Sequence, residues 1–191
     1  MNDSRPTRYG AVAQALHWAT AILVLAAFTY GPGGSEQRVY SAARDFDRSL
    51  HETLGLCVLA ITIVRLGWRA FDERPEAPAP YPWMRTAARA VQALLYVLLF
   101  ALPATAIAGA WLEGHDLTLL GGLRIAPLAG QDHALGARIA AVHGWLGDAV
   151  LWLAGLHAVA ALHHHWILRD GVLLSMLPAR IAGGSRVPPA R

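Results

Sequence analysis

Four of the nine histidines in this 191-residue chain stand in "GLHAVAALHHHW", residues 155–166, a stretch that is otherwise apolar. An ionisable ring inside a membrane-length apolar run is expensive to hold and commonly marks function. One lone histidine can equally serve as a hydrogen-bonding contact between helices, so the arrangement matters more than any single ring. His143 and His157 are 14 residues apart on one apolar stretch. At 100° per residue they share a helix face to within about 40°, at depths about 21 Å apart. His51 opens a second apolar stretch and His17 stands near the start of the first. With these stretches crossing a membrane in alternate directions, His51 falls level with His143, and His17 approaches the depth of His157. Two imidazoles at each of two levels suit bis-histidine haem iron, one ring from each side of the macrocycle. Zinc is the rival, but a structural zinc takes four N or S ligands at one point. Neither pair has a cysteine or carboxylate beside it, so the donor sets fit zinc poorly. Cys57 is the single cysteine, which excludes a Cys-x-x-Cys-His attachment, and any haem is held without a covalent link.

Neighbouring residues bear on the same chemistry. Gly55 and Gly147 follow His51 and His143 by four residues, which puts each on its histidine's face. Small residues there leave room for a flat guest or allow close helix packing. Arg65 lies 14 residues after His51, on that face at the inner level. It pairs with a haem propionate or reaches to the membrane interface. His164 is one heptad beyond His157 and about 10 Å further along the axis. There it serves a quinone head group, as a donor that also exchanges protons, or belongs with His163 and His165 to an interfacial triplet. His115 and His133 fall in a connection and are given no role.

Four helices must position these residues. Hydrophobic residues make up 55% of the chain and charged residues 15%, against roughly 25% charged in soluble domains. The mean hydropathy is +0.36. The formal charge is only +3, with no basic stripe interleaved with aromatics, so nucleic acid is not expected as a partner. Apolar stretches near 11–31, 50–70, 90–112 and 142–167 reach the length of roughly 20 residues that a bilayer demands. His17 and Trp18 near the start of the first mark it as a retained span rather than a signal peptide. Pro103 is expected to kink the third, Asp132 to cap a fourth helix that begins before the membrane does, and "LTLLGGL" to lie at the interface. Residues 179–191 are expected to form a disordered tail.

Orientation follows from arginine, the only basic residue type besides histidine. Arg5, Arg8, Arg69, Arg74, Arg85, Arg89, Arg169, Arg180, Arg186 and Arg191 gather on one side, which places both termini in the cytoplasm. Arg38, Arg44, Arg48, Arg124 and Arg138 fall on the other side among acids. Arg48, three residues before His51, is the best candidate there for drawing in an anion.

The stretches "RYGAVAQALHW", "HETLGLCVLAITIVRLGWR", "LLYVLLFALP" and "HGWLGDAVLWLAGLHAVAALHHHWILRDGVLLSMLP" resemble the bacterial cytochrome b561 family, from about residue 8 to residue 178. His17, His51, His143 and His157 match the family's axial ligands. Gly144 and Gln92 depart from its pattern, where many members have an acid and a histidine; neither change removes a ligand. The resemblance implies an all-α membrane protein of the bacterial inner membrane, in which a four-transmembrane-helix bundle formed by one domain over 1–191 encloses two heme b groups. It implies electron transfer from an outer-side donor to ubiquinone, the donor being superoxide in the superoxide oxidases. A cytochrome b subunit linking a periplasmic dehydrogenase or hydrogenase to quinone is the alternative.

Overall fold

The computed structural model describes residues 8–72, 75, 81–128 and 130–178. Four long helices dominate it: α1 (Ala11–Tyr30), α3 (Asp45–Phe71), α4 (Pro82–Glu113) and α5 (His133–His163). All four are long and apolar enough to cross a membrane. Their ends follow from local chemistry. Asp45 and Asp47 occupy the first turn of α3, where carboxylates meet the positive end of the helix dipole. Pro82 opens α4, at the position where its missing N–H is not needed. Gly114 closes α4 with φ 86°, a left-handed turn that glycine makes without a Cβ clash. The Asp132 carboxylate accepts from the Leu135 N–H at 3.0 Å and caps α5. The helices outrun the apolar stretches: α3 starts five residues before residue 50 and α4 eight before residue 90. Pro103 lies inside α4 without ending it.

α1 packs mainly on α3, and α4 mainly on α5. The second pair closes tightest around Gly136, where an added Cβ would come within 2.7 Å of the Glu113 side chain. α3 meets α4 more lightly, and α1 barely meets α5. Two helix pairs therefore flank a slot, and the histidines point across it from α1, α3 and α5. Ile22, Leu25, Ile63, Val97, Trp152 and Val159 are more than half exposed on the outside, the surface a hydrocarbon solvent demands.

Short elements close both ends. At one end, the outer one by the arginine distribution of the sequence, lie α2 (Glu36–Val39) and a hairpin of β1 (Leu117–Thr118) with β2 (Arg124–Ile125). The hairpin turns through Gly121 and Gly122, whose φ values of 87° and 82° belong to the left-handed region glycine favours. It docks on α3: the Thr118 N–H donates to the Glu52 carboxylate, and the Leu120 N–H to the Thr53 hydroxyl. At the opposite end the start of α1 meets the segment that follows α5. The Gln14 amide donates to the carbonyls of Tyr9 and Ser175, both at 3.1 Å, and the Trp18 indole donates to the Met176 carbonyl at 2.9 Å. Ser175 ends a one-turn helix, α6 (Val172–Ser175). The tail 179–191 and Arg5, Arg74, Arg180, Arg186 and Arg191 of the orientation count lie outside the described residues.

Candidate functional site

The outer level of the slot brings His51 of α3 opposite His143 of α5, with ring centroids 6.0 Å apart and planes at 85°. Each ring is set by a carbonyl. His51 Nδ1 donates to the Ala27 carbonyl at 2.7 Å. That carbonyl is released by a tightened last turn of α1, in which the Gly31 N–H turns to Phe28 instead. His143 Nδ1 donates to the Leu102 carbonyl at 2.9 Å, with the Thr105 hydroxyl close by. A carbonyl only accepts, so both rings carry their hydrogen on Nδ1 and keep the Nε2 lone pair free. Around them lies a partly open apolar cavity, lined among others by Gly55, Leu99, Pro103, Gly147 and Val150. A Cβ added at Gly55 or Gly147 would meet nothing within 4 Å.

The inner level brings His17 of α1 opposite His157 of α5, centroids 6.4 Å apart and planes at 71°. Its surroundings are cationic and aromatic. Arg65 Nη2 donates to His17 Nδ1 at 3.0 Å. The Arg65 guanidinium also lies over the Tyr96 ring at 5.5 Å, and Arg69 shares that ring at 5.7 Å. Arg65 therefore turns inward to the histidine level. Beyond α5 the backbone widens into a π-helical turn, His164–Leu168, followed by Arg169 with φ 51°. The left-handed residue reverses the chain, and the Asp170 carboxylate comes back to accept from His164 Nδ1. His163 is exposed and His165 half-buried.

Two participants escape the sequence pattern. Asp170 lies beyond the apolar run, and only the π-turn and the reversal at Arg169 bring it to His164. Glu52 is an ordinary helix neighbour of His51 by spacing, yet its side chain is 13% exposed and ion-paired with Arg48 at 3.2 Å. Arg48 itself is 9% exposed. It is held by Asp45 at 2.9 Å as well as by Glu52, and it lies over the Tyr40 ring at 5.2 Å. The outer cation expected to face an incoming anion is thus folded in between two acids. Burial first, then the charges of Glu52 and Glu113, push the Tyr40 phenol above its usual range.

Apolar helices around paired internal histidines define a class: multi-pass helical membrane proteins that hold their functional groups between helices. Residues 8–179 match the family described as prokaryotic cytochrome b561. The chain is 30% identical over 173 residues to cytochrome b561 homolog 2 of Escherichia coli K12, covering 90% of this chain and 92% of that one. It is 36% identical over 171 residues to cytochrome b562 of Cereibacter sphaeroides, covering 86% and 92%. A probable superoxide oxidase, CybB of Yersinia pestis, is 29% identical over 178 residues, covering 91% and 97%. The chain belongs to the prokaryotic cytochrome b561 family. It is an electron-transfer membrane cytochrome, and membership implies binding of b-type haem.

Proposed function

We propose that the chain holds two b-type haems, one between His51 and His143 and one between His17 and His157, and carries electrons across the bacterial inner membrane from an outer donor to ubiquinone. The observation that carries this is the facing of histidine rings at two levels, with centroids 6.0 and 6.4 Å apart. An imidazole nitrogen binds a transition metal at about 2 Å, and the ring centre lies roughly 1 Å behind it, so two rings sharing one ion have centroids on the order of 6 Å apart. The hydrogens on Nδ1 of His51 and His143 leave Nε2 for iron, and carbonyl partners of this kind make the ligand more basic. The open space at Gly55 and Gly147 gives the outer level room for a planar group. Bound there, haem takes up and gives back single electrons.

The protein's own residues do the rest. Arg65 cannot stay on His17 Nδ1 once Nε2 is a ligand, because that nitrogen must then carry the ring's hydrogen. The guanidinium is freed for a carboxylate, and a haem propionate is the one the site would supply. At the inner end Asp170 fixes the His164 tautomer and carries the counter-charge when His164 holds a second proton, at Nε2. That proton is available to a quinone carbonyl. The arginine-rich ends put both termini in the cytoplasm, which sets His51 and His143 on the periplasmic side. Superoxide is the proposed donor, as in the relative named a probable superoxide oxidase. The burial of Arg48 between Asp45 and Glu52 favours a second reading, a docked periplasmic dehydrogenase or hydrogenase as donor.

The test begins with the purified chain. It should carry two low-spin haems, fully extracted by acid–acetone. One haem, or haem left on the polypeptide, contradicts the assignment. Supplied with superoxide and a ubiquinone analogue alone, it should reduce the quinone, and Asp170→Asn should slow this without altering the haem bands. A chain that accepts electrons only with a partner enzyme present establishes the second reading.

A further inference from the structure

Glu36, Glu113 and His115 lie together at the outer face, away from the histidine pairs and without a part in the proposed electron path. One ligand atom from each falls within 4.8 Å of the other two. They come from different connections: Glu36 opens α2 after the first span, Glu113 ends α4, and His115 follows the Gly114 turn. His115 is fixed twice. Its N–H donates to the Ala110 carbonyl at 2.8 Å, and its ring stacks on Tyr40 with centroids 3.4 Å apart. Its Nε2 meets the Glu36 carboxylate at 2.8 Å. Glu113 is 7% exposed and is pinned where α5 passes at Gly136. Its carboxylate reaches the cluster, yet it has no hydrogen-bond or ion-pair partner among the described residues. Two carboxylates held this close repel one another, and a cation between them relieves that repulsion.

We propose that Glu36, Glu113 and His115 bind one divalent transition-metal ion of the zinc class, which ties the first outer connection to the end of α4. Imidazole selects this class over magnesium or calcium, and three N/O ligands leave a fourth position for water. Tetrahedral ligands at about 2 Å stand roughly 3.3 Å apart. Rotation of Glu36, the most exposed of the three acids and bases on a one-turn helix, closes the remaining gap. His115 then offers its Nε2 lone pair in place of the hydrogen now shared with Glu36. Two negative charges at the outer mouth are offset by the ion. Through the stacked Tyr40 and Arg48 the ion also stiffens the segment that leads to His51. This site stands whether the electron donor is superoxide or a protein.

The haem-loaded protein, stripped with a chelator in detergent, is titrated with Zn²⁺ alone. Wild type should bind one Zn²⁺ per chain by elemental analysis and calorimetry, with a rise in its thermal midpoint. Glu36→Gln, on the exposed one-turn helix, should weaken binding at least about tenfold. His115→Ala should abolish it, with both variants keeping the wild-type haem spectrum as the sign of an intact fold. Unchanged affinity in both variants would place the ion elsewhere, at His133 or the 163–165 triplet, and overturn the proposal. So would absence of binding in wild type, or equal competition by Ca²⁺, which needs no imidazole.

Discussion

The outer and inner histidine pairs use the same side chain in the same slot, but the fold holds them differently. His51 and His143 each donate to a backbone carbonyl, at 2.7 and 2.9 Å. His17 instead accepts from Arg65 at 3.0 Å, and His157 has no hydrogen-bond partner among the described residues. A carbonyl neither titrates nor rotates away, so the outer rings are aimed, with their tautomer set, before anything binds. Arg65 does the reverse: it occupies the lone pair of Nδ1 and so requires the hydrogen on Nε2, the nitrogen a metal needs. The outer pair is organised by the fold, whereas on the proposed reading the inner pair would be completed by a propionate that draws Arg65 off. Preorganisation lowers the ordering that binding must supply, so the two levels should respond unequally to the same injury.

The largest effects come from removing rings. His51→Ala and His143→Ala should affect one haem, and His17→Ala and His157→Ala the other, with about half the haem absorbance left in the second pair of variants and somewhat more in the first. The remaining carbonyl-anchored ring at the outer level should retain some five-coordinate haem, whereas the inner level should empty. Pyridine haemochrome counts with high-spin and low-spin spectra distinguish these outcomes. A phenotype shared by His17 and His51 would break the assignment by level.

A smaller loss tests the space beside the outer pair. Gly147 opens on the cavity, and an added Cβ touches nothing within 4 Å. Gly147→Ala should therefore keep both haems, and Gly147→Phe should displace the outer one while the inner one stays. Equal tolerance of alanine and phenylalanine would mean that the glycine face does not border the cofactor.

Arg65→Gln should act on potential rather than occupancy. A cation beside an iron site opposes the ferric state, so its removal lowers the inner midpoint, on the order of tens of millivolts at a partly buried position. The outer midpoint should not move. A two-component redox titration separates them, and a shift of both together would show that Arg65 acts on the bundle as a whole.

Much of this was legible in the residues. Four spans follow from apolar length, and the two-level geometry of the histidines from a 14-residue spacing close to four helical turns. What was hidden depends on the backbone leaving its ideal path. The carbonyl of Ala27 becomes free only because the last turn of α1 tightens. Asp170 reaches His164 only through a π-turn and a left-handed Arg169. The hairpin at Leu117–Ile125 arises from two glycines in an apolar run, where composition indicated only an interfacial segment. His115, unassigned by pattern, acquires partners from connections distant in sequence. Arg48 shows the converse, since its position on the face of His51 was readable but its capture by Asp45 and Glu52 was not.

The smallest effect concerns the outer mouth. By sequence Arg48 is the cation to draw an anion toward His51, and steering of that kind predicts a rate that falls with added salt. In the structure Arg48 is closed off by Asp45 and Glu52, and Arg44 is paired with Asp47 at 2.9 Å. Arg48 and Arg124 line the outer hollow together with Asp45 and Asp116, while in the metal-free protein Glu36 and Glu113 add negative charge beside it. An anion approaching this face meets a balance that is neutral to slightly repulsive. Screening such a field should change the rate of superoxide-driven haem reduction by less than about threefold between low and physiological ionic strength, and upward rather than downward. Arg48→Gln should then act mainly by leaving Asp45 and Glu52 uncompensated, slowing reduction more at low salt than at high. Stopped-flow rates across an ionic-strength series measure both. A steep fall with salt in the wild-type protein would mean that arginines outside the hollow, Arg38 or Arg138, set the field, and that the outer pair is steered as well as preorganised.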